Sequence, residues 1–174
     1  MTMSTSEDLD RLAEAVLDAC SSRGKRLATI ESCTGGLIAA LLTSVPGSSR
    51  VFDRGFITYS NDAKHELVGV PNQLVEKHGA VSEQVAEAMA LGGLENSKAD
   101  FALSVTGIAG PGGGTTEKPV GLVYIGCAAR MQPTPRVTVS RFEFSDSNRN
   151  EIRNLSARAA LEMLMSLHFR EHGS

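Results

Sequence analysis

The sequence predicts a three-layer α/β/α sandwich on a mixed, mostly parallel sheet of about five strands, one of them antiparallel. Three observations carry this prediction. Short strand-like runs alternate with helical patterns along the chain, the order that builds parallel sheets. Leu37–Leu42 is apolar all round and Val120–Ala129 nearly so, which means both are buried. Near the end, Val120–Ala129 and Arg136–Phe144 flank Met131-Gln-Pro-Thr-Pro135, which reads as an antiparallel hairpin.

Composition narrows the class. The chain has 174 residues, 41% hydrophobic and 21% charged, enough for one domain with a substantial core. Its net charge of −3 offers no basic field for nucleic acid. Six Phe, two Tyr and no Trp give little surface for stacking single-stranded bases. Three cysteines, Cys20, Cys33 and Cys127, show no CxxC spacing and argue against a disulfide framework or zinc ribbon. The polar, acidic N-terminus is unlike a signal peptide, and no apolar run nears the roughly 20 residues that span a bilayer. A cytoplasmic protein without membrane or direct nucleic-acid partners is expected.

The elements follow in order. Leu9, Leu12, Ala13, Val16, Leu17 and Cys20 recur at helical spacing and predict a helix over about 5–22. Ser4-x-x-Glu7 is a capping-box pattern for its start, and Gly24 stops it. A strand at 26–31 leads through Ser32-Cys33-Thr34-Gly35-Gly36 into the apolar helix from Leu37. A glycine turn opening a helix can cradle an anion, although Ser/Thr-Gly-Gly also serves simply to turn a chain. Pro46-Gly47 ends that helix, and Gly55–Tyr59 reads as the second strand. Ser60, Asn61 or Asp62 caps a helix carrying Lys64 near its start, where the dipole disfavours a positive charge and favours a neutral amine. A short helix over 72–78 precedes one from Ser82 to about Asn96, with Gly92-Gly93 marking close packing. Phe101–Thr106 is the third strand, and Gly107–Pro119 a long glycine-rich loop with Lys118 placed to supply charge to a ligand. The last helix is predicted from Ser145-Asp146 to about His168, with Ile152, Leu155, Ala159, Met163 and Leu167 facing inward. Arg149 and Arg153 sit in its first turns, where positive charge either meets an anionic ligand or is merely solvated.

The chemistry is histidine-poor. His65, His78, His168 and His172 have no partners at metal spacing, and the carboxylates form no convincing pair, so no metal site is expected. Cys33, in a turn at a helix start, is a candidate thiol without an evident base. Ser60 and Lys64 are i,i+4, but Ser60 is more simply an N-cap, and the spacing is not SxxK. Ser49 with Lys64 requires the fold to bring them together. Serine, tyrosine and lysine are the parts of a nucleophile system that needs no histidine.

Glu31–Gly36, Gly47-Ser48-Ser49, Arg54–Asn61, Lys64, Gly79–Ser82 and Gly107–Gly121 together resemble the CinA C-terminal domain family. The resemblance keeps the blocks in order and extends over nearly the whole chain, 1–174. Stand-alone members of that family are nicotinamide-nucleotide amidohydrolases, so it implies hydrolysis of nicotinamide mononucleotide to nicotinic acid mononucleotide and ammonia. It implies Ser49 as nucleophile, with Ser48 its neighbour, and Tyr59 and Lys64 as catalytic partners. The substrate contacts expected are Ser32, Thr34, Gly35, Gly36, Ser48, Thr106, Gly107, Gly110 and Arg149. No metal or redox cofactor is expected. Longer family members carry an additional N-terminal domain whose activities are not carried over. The apolar helix at Leu37–Leu42 suits either a core or an interface between like subunits.

Overall fold

Among the described residues, burial and turn chemistry give six α-helices and five strands. The structure, a computed structural model, describes residues 5–169. The elements are α1 (Thr5–Ser21), β1 (Leu27–Glu31), α2 (Leu37–Thr43), β2 (Phe52–Ile57), α3 (Asn61–Val68) and α4 (Asn72–His78), followed by α5 (Glu83–Glu95), β3 (Phe101–Gly107), β4 (Leu122–Ala129), β5 (Arg136–Glu143) and α6 (Arg149–His168). Ser4 of the predicted capping box lies outside the described residues.

The sheet has the order β2-β1-β3-β4-β5. β1 pairs in parallel with both β2 and β3, while β4 is antiparallel to both β3 and β5. One strand, β4, therefore opposes the other four. The hairpin pairs Leu122 with Glu143 and Ala129 with Arg136.

All five residues of β1 are buried because helices cover both faces of the sheet. Leu27, Leu103 and Ile125 pack with Val16, Leu42 and Leu161 of α1, α2 and α6. On the other face Ile30 and Ala102 pack with Val68, Met89 and Leu94 of α3 and α5. Gly92 and Gly93 permit this second layer. A Cβ on Gly92 would lie 1.8 Å from the Val68 carbonyl oxygen, and one on Gly93 2.2 Å from Ile30 Cδ1.

Several boundaries differ from expectation. β2 begins at Phe52 and ends at Ile57, leaving Tyr59 beyond it, because the ladder opposite β1 starts at Leu27 with Phe52. α6 starts after Asn148, whose side chain accepts from the Asn150 and Glu151 N–H groups while Glu151 returns a capping box. Ser145-Asp146 precedes that helix, with Asp146 in the left-handed region at φ 57°. Of the residues expected to face inward, Ile152, Ala159 and Met163 are buried, Leu155 is only half-buried and Leu167 is exposed; Ala160 and Leu164 complete the buried stripe. No helix among the described residues is long and apolar enough to cross a membrane.

Candidate active site

Parallel strands turn into their connections at their carboxyl ends, and such ends of open α/β sheets form crevices. Here a cleft of about 290 Å³ opens beyond β1, β2 and β3. Ser32 and Cys33 line it after β1, Tyr59, Asn61 and Lys64 after β2, and Ala80 and Val81 before α5. Thr106 to Gly110, with Gly112 and Gly113, form the facing wall, and Arg149 stands at the start of α6.

Lys64 is the largest fully buried side chain, 1% exposed. Ser60 caps α3 by accepting from the Ala63 N–H at 3.0 Å, which turns Lys64 inward under β1. Its Nζ donates to Thr58 O at 2.9 Å, lies 3.5 Å from Ser60 O and 3.2 Å from Ser32 Oγ. Burial pushes its pKa below the usual 10.5, since desolvation disfavours the ammonium. Nζ thus faces two carbonyl acceptors and one hydroxyl, a group that can accept from an ammonium or donate to a neutral amine.

Ser32 is held by its own backbone, whose N–H donates to Val105 O at 2.9 Å and continues the β1–β3 ladder. The turn behind it is fixed by Glu31. Its carboxylate accepts from the Gly36, Ile38 and Ala39 N–H groups at 3.1, 3.0 and 2.8 Å. From the other side Arg153 Nη2 donates to Thr34 O at 2.9 Å. The neighbouring Cys33 thiol is pushed up to about 12, chiefly by burial, and so remains protonated at neutral pH.

The expected residues separate accordingly. Ser32, Tyr59, Lys64, Thr106, Gly107, Gly110 and Arg149 meet at the cleft. Ser49 and Ser48 do not. They form a 3-10 turn, Ser48–Arg50, before β2, beside a shallow pocket with Leu17 and Ser21. Six residues of β2, about 17 Å at ~3.3 Å per step, separate that turn from the end where Lys64 is anchored. Ser49 therefore stands at the amino end of the sheet and Lys64 at the carboxyl end. Thr34, Gly35 and Gly36 also lie outside the cleft lining. Their helix start is already filled by Glu31, the chain's own anion, which corrects the expectation of a phosphate there.

Tyr59 is 59% exposed, and its hydroxyl meets Arg149 Nη2 at 2.9 Å rather than Lys64. Arg149 Nη1 donates to Gly110 O at 2.7 Å, so this guanidinium bridges the two rims of the cleft. Lys118 does not face the cleft. Its Nζ donates to His78 O and Val81 O at 2.6 and 2.8 Å.

Asn61, Ala80, Val81, Ile108 and Ala109 line the cleft without having been singled out. Gly79–Ser82 and Tyr59-Ser60-Asn61 lay within the blocks that carry the resemblance, but their backbone role has no residue-type signature. Among the described residues, no group of three or more His, Cys, Asp or Glu side chains is arranged to hold a metal ion.

Comparisons with known proteins agree with this architecture. Residues 9–168 match the model of the CinA C-terminal domain. The nicotinamide-nucleotide amidohydrolase PncC of Escherichia coli K12 is 42% identical over 160 residues, covering 92% of this chain and 94% of PncC. A competence-damage inducible protein of Caldicellulosiruptor bescii is 52% identical over 158 residues, 90% of this chain. The chain spans only 37% of that longer relative. The competence/damage inducible protein CihA of Agrobacterium tumefaciens superposes with a TM-score of 0.88 at 49% identity, covering 92% of this chain and 95% of CihA. By family match, sequence identity and superposed fold, this chain belongs to the CinA C-terminal domain family.

Proposed function

We propose that the protein hydrolyses the carboxamide of nicotinamide mononucleotide, releasing ammonia and nicotinic acid mononucleotide, with Ser32 as nucleophile and Lys64 as base. The observation that carries the reading is the 3.2 Å approach of buried Lys64 Nζ to Ser32 Oγ at the floor of the cleft. The 42% identity to an amidohydrolase named for this substrate supports the choice of amide.

Neutral Lys64 takes the Ser32 proton as Oγ bonds to the carboxamide carbon. The resulting ammonium returns its proton to the leaving nitrogen, the C–N bond breaks, and ammonia departs. Lys64, neutral again, takes a proton from water as its oxygen adds to the ester carbon. The ester C–O bond then breaks, Ser32 regains a proton, and a carboxylate product is left. Backbone N–H groups around the Ser32 turn supply the oxyanion donors, each typically worth about 3 kcal/mol.

The phosphate faces Arg149, the exposed one of the two basic side chains that line the cleft. Among the described residues, the N–H groups of Ala109, Gly110, Gly112 and Gly113 meet no hydrogen-bond acceptor, and they form the opposing nest. Tyr59 holds Arg149 at the mouth instead of relaying the Ser32 proton.

The test is ammonia release from nicotinamide mononucleotide, nicotinamide riboside and nicotinamide by wild type, Ser32→Ala, Lys64→Met and Ser49→Ala. The mononucleotide should be turned over by wild type and Ser49→Ala only. Full activity in Ser32→Ala would send the nucleophile elsewhere.

A further inference from the structure

Lys118 is absent from the cleft lining, yet it ties the two walls of the cleft together. It stands on the glycine-rich connection between β3 and β4. Its two acceptors are His78 O, at the end of α4, and Val81 O, in the connection from α4 to α5. A third bond, from Thr106 Oγ1 to Ala80 O at 2.8 Å, joins the same two segments at the root of the loop. The end of the loop is folded on itself, with Lys118 N–H donating to Thr115 Oγ1 and Thr115 N–H to Lys118 O. The connection leaves room for the ammonium: Gly79 has φ +78°, and a Cβ there would lie 2.8 Å from Lys118 Nζ.

From these contacts we infer that Lys118 is a positioning residue, a latch that holds the N–H groups of Ala109, Gly110, Gly112 and Gly113 over the substrate's phosphate. The inference rests on the reading of the cleft given above. Both acceptors are carbonyl oxygens, so the latch works by donation from a cation and needs no carboxylate. Between its ends the loop has few other ties: Ile108 N–H to Leu122 O and Gly121 N–H to Ile108 O close only its base. Without Lys118 the nest is left to Thr106 and to the Arg149–Gly110 bond. A nest displaced by about 1 Å loses much of its value for positioning. The loss falls on ligands that carry the phosphate and spares those that lack it.

The experiment compares wild type, Lys118→Met and Lys118→Arg in ammonia release from the mononucleotide and the riboside, together with calorimetry of nicotinic acid mononucleotide. Lys118→Met should raise KM for the mononucleotide about tenfold or more, with kcat within about threefold and the riboside rate unchanged. Lys118→Arg should recover most of the loss, since a guanidinium can serve both carbonyls. Calorimetry should show the same tenfold weakening for the product. Equal losses with mononucleotide and riboside, or no rescue by arginine, would overturn the latch. If wild type releases no ammonia, the amidohydrolase reading fails by itself, and weaker calorimetric binding in Lys118→Met still decides the latch.

Discussion

Lys64 Nζ lies 3.2 Å from Ser32 Oγ, across 32 positions of sequence, with the carbonyls of Thr58 and Ser60 as its other neighbours. Removing either member of the pair should abolish amide hydrolysis. Ser32→Ala and Lys64→Met are each expected to lower kcat by about 10³-fold or more, and the double variant should be little worse than either single one. Ser49→Ala should stay near wild type. Ammonia release, with circular dichroism to confirm folding, separates these outcomes.

The state of Lys64 sets a pH dependence. Its folded pKa is lowered from 10.5 by burial, so kcat/KM should climb as pH rises through that lowered value. Lys64→Arg stays charged and should be inactive at every pH. Stability carries the matching sign. Between the lowered folded pKa and 10.5 the unfolded chain binds more protons, so wild-type stability rises with pH across that window. Urea melts of Lys64→Met should lack this rise, and an identical slope in both proteins would argue against a depressed Lys64.

Glu31 should prove to be a structural anion. Its carboxylate oxygens take three N–H donors at the start of α2. In Glu31→Gln an amide NH₂ confronts a donor, at a cost of about 2 kcal/mol. For a chain of this length that is a fall in Tm of about 4–8 °C, readable by thermal melting.

Arg149 should discriminate nucleotide from nucleoside. Arg149→Met is expected to raise KM for the mononucleotide about tenfold or more while leaving riboside turnover alone, the loss of a charge-assisted pair at the mouth. Equal effects on both substrates would assign it a role in shaping the cleft only.

Gly92→Ala should destabilise α3 against α5. Its Cβ would meet the Val68 carbonyl at 1.8 Å, and backbone cannot move aside cheaply. A loss of about 2–3 kcal/mol is expected in urea melts. Because α3 carries Lys64, residual turnover in this variant should fall as well.

Much of the architecture was legible in the chain. The strand and turn around Ser32–Gly36, the Ser82 cap, the Gly92-Gly93 packing site and the β4–β5 hairpin follow local rules of periodicity and turn chemistry; the helix after that turn is present, but of Leu37–Leu42 only Ile38 and Leu42 are buried. Those rules act over one or two turns of chain, so they read well. Boundaries set by pairing read less well: β2 starts at Phe52 because of its ladder with β1, and α6 waits for the Asn148 cap.

The site divides along the same line. The sequence by itself determined that a lysine stands in the first turn of a helix, that a serine follows a buried strand, and that two glycine-rich turns border them. Only the tertiary structure decided which serine meets that lysine. β1 and β2 are parallel neighbours, so the residues after both strands converge at the carboxyl end of the sheet, where Ser32 meets Lys64. Ser49 precedes β2 and is carried to the opposite end, however close it lies to Lys64 in sequence. The same geometry gave the α2 amides to Glu31 and the Lys118 ammonium to two carbonyls, because a buried donor takes the nearest acceptor that packing supplies.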